Sequence, residues 1–358
     1  MEIKRIDWGY LFCFLVIVIA LSLFILYYYV YHVDACYANP LEYYHQKIDW
    51  EYGGAFKVYG NVNLVSHGIV HSISFSICDQ SFLDIIDEKI SLTNNGISIP
   101  LAENTSTGKP VIYKGNDKTE LPNRLNVSIL SQIRDPMNYP EITSLSNAYE
   151  KVRIYREWTF GRNAVFRIPQ KADMRNDRLE EDLSNLGLFL NWLRRTAKVK
   201  KRIIDALHDL YEGIDDFDVS IAAGTVQIFF TEGDFTIPAT RLSDGTLRYL
   251  SLLAILCDPE PPPLICIEEP ELGLHPDILP KVADLLVDAS ARTQLIVTTH
   301  SDILVDALTE RPEAVVVCEK HQRQTVMKRL DKAQLQIWLE KYRLGELWTR
   351  GEIGGTRW

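Results

Sequence analysis

Two adjacent glutamates, Glu268 and Glu269, follow the apolar residues Leu264, Ile265, Cys266 and Ile267 in the stretch PPPLICIEEPELGLHP. A carboxylate held charged beside buried apolar residues costs several kcal/mol unless a cation or a donor compensates it. A strand over these apolar residues would deliver both glutamates to its C-terminal end, the edge at which open α/β sheets bind ligands. Successive strand residues point to opposite faces, so the two carboxylates need not share a job. One can hold Mg2+, directly or through its waters, while the other orients or deprotonates a water. Taken alone, the pair also reads as two solvent-facing glutamates at an ordinary strand end.

Two more groups stand at fixed distances from this pair. Ser243, Asp244 and Gly245 lie 24 to 26 residues before Glu269 and open an apolar helix expected from about Thr246 to Leu256. A helix start with a small hydroxyl and a glycine offers free backbone N–H groups to an anion, and an ordinary serine N-cap has the same sequence. His300 comes 31 residues after Glu269, at the end of a second apolar strand, Leu295, Ile296 and Val297. Between them Glu271 and His275 occupy the turn before a helix that Pro276 opens.

The elements that must position these groups follow in the order helix, strand, helix, strand, helix, which predicts a parallel sheet with crossover helices. Upstream, residues 48–112 alternate short β-rich segments with turn residues and predict an antiparallel sheet. Breaker-rich NTSTGKP and GNDKTELPN predict a surface excursion. Leu179, Leu183, Leu186, Leu190 and Leu193 recur at helical spacing and predict a helix running to about Arg195. Arg194, Arg195, Lys198, Lys200, Lys201 and Arg202 follow as a dense basic cluster. It reads either as a phosphate-binding patch for DNA or as a solvated helix end favoured by the C-terminal dipole.

The chain has 358 residues, 46% hydrophobic and 24% charged, and a net charge of −10 that excludes coating nucleic acid by charge alone. Six scattered cysteines without a C-x-x-C pair suggest neither a zinc site nor a disulfide framework, and fit a reducing compartment. The uncharged run that begins at Leu11 and ends at Val33, with Trp8 and Tyr10 before it and Tyr27, Tyr28, Tyr29 and Tyr31 at its end, predicts a transmembrane helix. A signal peptide is the alternative, with Lys4 and Arg5 as its basic start. If the segment spans a membrane, those two cations favour a cytoplasmic N-terminus and an exported remainder.

The three ordered motifs, LSDGT, ICIEEPELGLHP and IVTTHSD, resemble the C-terminal half of an ABC-type ATPase head of the RecF, SMC and OLD kind. YREWTFGRNAVFRIPQ, NLGLFLNWL and the final YRLGELWTRGEIGGTRW are similar to a bacterial RecF-like subgroup. The resemblance implies a P-loop NTPase fold, ATP and Mg2+ as cofactors, and a homodimer or a related head as partner. It also implies work in DNA repair, chromosome maintenance or phage defence, and a cytoplasmic head; a single-pass inner-membrane anchor at the run from Leu11 to Val33 would then require the orientation opposite to the one that Lys4 and Arg5 favour. On the matching positions it assigns Glu268 to the metal, Glu269 to catalysis and His300 to the switch. Ser243, Asp244 and Gly245 become the signature contact to ATP held by a partner head, and His275 belongs to the D-loop.

The family's phosphate loop, G-x-x-x-x-G-K-[S/T], does not occur in these 358 residues; the Gly108-Lys109 pair has glutamate where the first glycine belongs. Three readings therefore stay open: a RecF-like ATPase without its phosphate-loop segment, a membrane-tethered non-catalytic subunit that lends its signature helix to a partner, and a DNA-binding scaffold without nucleotide chemistry. The expected organisation is an N-terminal tail, 1–46, with the transmembrane helix at about 11–33, and an ABC/RecF-like ATPase domain, 47–358. Within the latter lie a β-rich part at about 48–130, a helical part at about 178–214 and the motif core at about 237–320.

Overall fold

A computed structural model describes residues 58–355, apart from 67–68, 79–81, 95–96, 106–107, 123–126, 157, 160, 166 and 322–323. The expected membrane segment at 11–33 lies outside the described residues. Among those described, no helix is long and apolar enough to cross a membrane. The chain divides into two compact units, Met1–Val152 and Arg153–Trp358.

In the first unit, β1 (Val58–Ser66), β2 (Ile69–Cys78), β3 (Phe82–Asn94), β4 (Ile97–Thr105), β5 (Val111–Lys114) and β6 (Asp117–Glu120) form an antiparallel sheet in sequence order. Helices α1 (Ile129–Gln132) and α2 (Pro140–Glu150) belong to the same unit, and Ile129, Leu130, Ile142 and Leu145 bury against Ile69, Ile90, Ala102 and Ile112. The period-2 pattern of β3 also buries Glu88, on the same face as Ile90. Its carboxylate accepts from Ser128 Oγ at 2.5 Å, Ile129 N at 2.8 Å and His71 Nε2 at 3.1 Å, and His71 Nδ1 lies 2.7 Å from Tyr149 Oη. The breaker-rich region expected as a surface excursion contains the β5–β6 hairpin, whose Val111 and Ile112 are buried.

The second unit is built on three parallel strands, β7 (Arg153–Tyr155), β12 (Leu264–Glu268) and β13 (Gln294–Thr298), with β12 in the middle. A central parallel strand is covered on both faces, which is why Leu264, Ile265, Cys266 and Ile267 are all buried rather than alternating. Beside it, β8 (Gln170–Lys171), β9 (Asp216–Ala222), β10 (Thr225–Glu232) and β11 (Phe235–Pro238) make a small antiparallel sheet. Around these strands lie α3 (Leu186–Leu193), α4 (Ala197–Leu210), α5 (Asp244–Leu256), α6 (Leu279–Ala289) and α7 (Asp302–Asp306). Residues 247–256 of α5 are all buried, Arg248 and Ser251 among otherwise apolar or aromatic side chains. The hairpin β14 (Val316–His321) and β15 (Gln324–Arg329), with α8 (Lys332–Leu339) and α9 (Leu344–Thr349), completes the unit around Val317, Leu330, Leu344 and Leu347.

The leucine periodicity overstated one helix. Only Leu186–Leu193 is helical, although Leu179 and Leu183 are buried as expected. Leu183 sits in the left-handed region at φ 61°, which no α-helix tolerates. The fully buried Asn185 side chain accepts from Glu180 N at 2.8 Å and donates to Arg178 O at 2.7 Å and Arg175 O at 3.0 Å. Those bonds satisfy the backbone locally and displace the helical ladder.

Candidate active site at the carboxyl edge of the parallel strands

Strand β12 ends where its buried run ends. Glu268 is the last residue in register, opposite Thr298 of β13. The next residue, Glu269, turns into the left-handed region at φ 42°, a conformation that costs a non-glycine residue about 1–3 kcal/mol. Hydrogen bonds to the peptide groups on both sides hold it there. Glu269 N donates to Thr298 O at 2.9 Å, and the Glu269 carbonyl accepts from Leu272 N at 3.1 Å and from Arg248 Nη2 at 2.5 Å. The preceding carbonyl, of Glu268, accepts from the Trp158 indole at 2.7 Å.

The turn brings Glu269 toward the second strand end, and its Oε1 lies 3.5 Å from His300 Nε2. Because the backbone leaves the extended conformation after Glu268, strand alternation alone does not decide how far the two carboxylates are separated. They remain close enough to interact. Burial, then the neighbouring Glu269 charge, push the Glu268 carboxyl up to about 7, with Arg156 pulling weakly the other way.

Glu271, which sequence reasoning left on a turn without a role, binds the loop that carries His300. Its Oε1 accepts from Thr299 Oγ1 at 2.7 Å and His300 N at 2.8 Å, while its Oε2 is buried without a hydrogen-bond partner. Arg248 and Trp158 were missed as well. The signal for Arg248 was available: a lone guanidinium in the apolar run LRYLSLLAIL, here only 1% exposed and stacked 3.9 Å from the centre of the Trp158 ring. Burial pulls its pKa down to about 10 against the opposing pull of Glu271 and then Glu269. Trp158 gave no periodic or spacing signal, because it lies outside any helix or strand.

The signature residues form the N-terminus of α5. Exposed Ser243 is the N-cap, accepting from Thr246 N at 3.0 Å. The Asp244 carboxylate is gripped by Arg167 through Nε at 3.0 Å and Nη2 at 2.8 Å, and by Gly161 N at 3.0 Å. The Arg167 bond holds the Asp244 carboxyl below its usual range. A Cβ on Gly245 would come within 2.9 Å of the Gly273 carbonyl, so glycine is what lets this helix start pack on the loop after Glu271. His275 is exposed and caps the short turn Pro276–Ile278, accepting from Asp277 N at 3.3 Å. The structure thus gathers Glu268, Glu269, Glu271 and His300 at one strand edge. Ser243 and His275 make their own hydrogen bonds locally instead.

The donor set fits a shared metal better than a protein cage. Among the described residues, no three His, Cys, Asp or Glu side chains converge as a metal site. Mg2+ characteristically takes one or two carboxylates and completes its shell with water and phosphate oxygens. Glu268, at the strand edge with a carboxyl destabilised as an anion, suits that role.

The basic cluster spans the end of α3 and the first turns of α4, so a C-terminal dipole accounts only for Arg194 and Arg195. Arg194 pairs with Asp218 and Arg202 with Asp288, while Lys200 Nζ lies 2.7 Å from Asp216 and Lys201 Nζ 2.9 Å from Asp205. Aspartates of the same unit therefore neutralise much of the patch.

A family model described as "AAA domain, putative AbiEii toxin, Type IV TA system" matches residues 107–306, more than half of the chain. The chain belongs to this AAA-domain family. Its head is of the ABC-type ATPase kind, and its three parallel strands with their helices make it an α/β unit. The Old nuclease of Escherichia phage P2 is 22% identical over 247 residues, covering 60% of this chain and 42% of that protein's length. The chain thus spans less than half of that curated relative. Among solved structures, an Smc head domain with an extended coiled coil from Pyrococcus furiosus is similar over 79% of this chain and 82% of its own, with 11% identity and a TM-score of 0.42. The SMC head domain from Thermotoga maritima covers 76% of this chain and 78% of its own, with 14% identity and a TM-score of 0.33.

Proposed function

We propose that the second unit hydrolyses ATP across a dimer of heads. Glu269 acts as the base that orients and deprotonates the attacking water, and His300, at 3.5 Å from it, orients toward the γ-phosphate. Glu268 holds Mg2+, which when bound neutralises phosphate charge. Ser243, Asp244 and Gly245 at the start of α5 approach the nucleotide of the opposite head, with His275 on the loop facing that partner. The observation that carries this reading is the Glu269–His300 approach at the carboxyl edge of parallel strands, the place where such sheets do their chemistry. Family membership and kinship with the Old nuclease support work around DNA, in repair, chromosome maintenance or phage defence, in the compartment that holds ATP.

The test is phosphate release by the full chain and by Glu269→Gln, with nucleotide-dependent mass followed by light scattering. Turnover should fall about 10²–10⁴-fold in the variant, while an ATP-bound dimer accumulates. Turnover indifferent to Glu269→Gln would sink the assignment.

A second reading is favoured by one observation, the absence of a G-x-x-x-x-G-K-[S/T] loop from the 358 residues. In it the chain lends α5 to a related head that holds ATP on its own phosphate loop. ATP binding by this chain alone would then be undetectable, and hydrolysis would appear only on mixing with such a head.

A further inference from the structure

The least expected group in the second unit is the guanidinium of Arg248. It lies in the second turn of α5, in a stretch buried throughout from 247 to 256, where leucine or methionine would pack without the desolvation a charge demands. Its surroundings show what the charge is used for. It stacks 3.9 Å from the Trp158 ring centre and donates Nη2 to the Glu269 carbonyl at 2.5 Å. Trp158 donates its indole N–H to the Glu268 carbonyl at 2.7 Å.

These two carbonyls belong to the peptide planes on either side of the Glu269 Cα. The backbone torsions of a residue are the rotations between its two flanking planes. Two side-chain donors that touch each other, one on each plane, therefore fix Glu269 at φ 42° and aim its carboxylate. The N-cap of the helix that carries Arg248 is Ser243, five residues earlier, and Gly245 packs on the Gly273 carbonyl. A displacement of the α5 N-terminus must move the guanidinium, and with it the Glu269 carbonyl.

We propose that Arg248 and Trp158 are positioning residues that couple the α5 N-terminus to the aim of Glu269, so that a phosphate engaged by α5 sets the catalytic geometry of the protomer that owns the helix. This coupling rests on the ATPase reading for its consequence, but its geometry can be tested without turnover.

The experiment compares the full chain with Arg248→Met, Arg248→Lys and Trp158→Phe; the last removes one N–H and keeps the aromatic ring. Hydrogen exchange in nucleotide-free protein is read at the amides of Glu269, Leu272 and His300. Arg248→Met and Trp158→Phe should accelerate exchange at Glu269 and Leu272, and Arg248→Lys should restore part of the protection. In turnover, both should lower kcat by about 10²-fold, the loss expected when a reacting group is misplaced by about 1 Å, with KM for ATP unchanged. Unchanged exchange at 269 and 272 overturns the proposal, as does a loss confined to KM or to the folded fraction. If Arg248→Met does not fold, Trp158→Phe decides alone. Wild-type protein without turnover sensitive to Glu269→Gln defeats the ATPase reading, and the exchange data still decide the positioning.

Discussion

His300 Nε2 lies 3.5 Å from Glu269 Oε1, although 31 residues separate them in the chain. The approach joins the ends of two parallel strands in register, and it exists because Glu269 leaves the extended conformation one residue past the strand. The imidazole is 79% exposed, so its removal leaves no cavity. His300→Ala should therefore keep stability within about 0.5 kcal/mol while lowering ATP turnover about 10²-fold. Thermal melting beside steady-state kinetics separates the two effects; a variant that melts early and turns over normally per folded molecule contradicts the role.

Glu268 predicts a pH dependence. Its carboxyl is pushed up to about 7 in the folded chain, above the unfolded value of 4.5, so the folded state binds the proton more tightly. Without metal, stability should be highest below pH 4.5 as far as this group is concerned and fall as pH rises toward 7. Solvent screening makes the loss smaller than the shift alone implies. Mg2+ affinity should run the other way, weakening up to tenfold per pH unit below about 7 as protons compete for the carboxylate. Calorimetric titration of Mg2+ with nucleotide at several pH values measures it, and Glu268→Gln should flatten the profile.

Glu271 should matter to stability and turnover together. Glu271→Ala frees Thr299 Oγ1 and His300 N, at a cost of about 1–3 kcal/mol, and releases the loop that holds His300. Urea unfolding gives the first number and kcat the second. Equal turnover in the folded fraction would confine Glu271 to a structural part.

In the first unit, Glu88 is the polar centre of the core. Removing it in Glu88→Ala strands the Ile129 N–H, Ser128 Oγ and His71 donors and should cost about 3–5 kcal/mol. Ser128→Ala removes an N-cap and one of those donors and should cost about 1 kcal/mol. Denaturant midpoints of the two variants, compared at constant slope, test the ranking.

A DNA role through the basic cluster makes a separate prediction. Lys198→Glu, Lys200→Glu and Lys201→Glu together should weaken duplex binding and reduce its salt slope by about one for each phosphate that the lysines had neutralised. Because Lys200 and Lys201 already pair with Asp216 and Asp205, an unchanged slope would show that those aspartates, not phosphates, are their partners.

What was legible in the sequence was what short-range rules control. An unbroken apolar run marked β12 as a buried strand, and the order of runs set the alternation of α5, β12, α6, β13 and α7 in a parallel sheet. The glutamates and His300 were visible because they stand where those runs stop. The leucine stripe showed burial correctly and helix extent incorrectly, since burial follows side-chain chemistry whereas Asn185 decides locally where the backbone finds its partners. The tertiary structure alone decided how Glu269 is aimed. Arg248, 21 residues earlier, and Trp158, 111 residues earlier, meet face to face and bind the two carbonyls that flank it. No periodicity records such a meeting, because a side-chain clamp on a distant backbone depends on how the elements pack and not on the pattern that forms each of them.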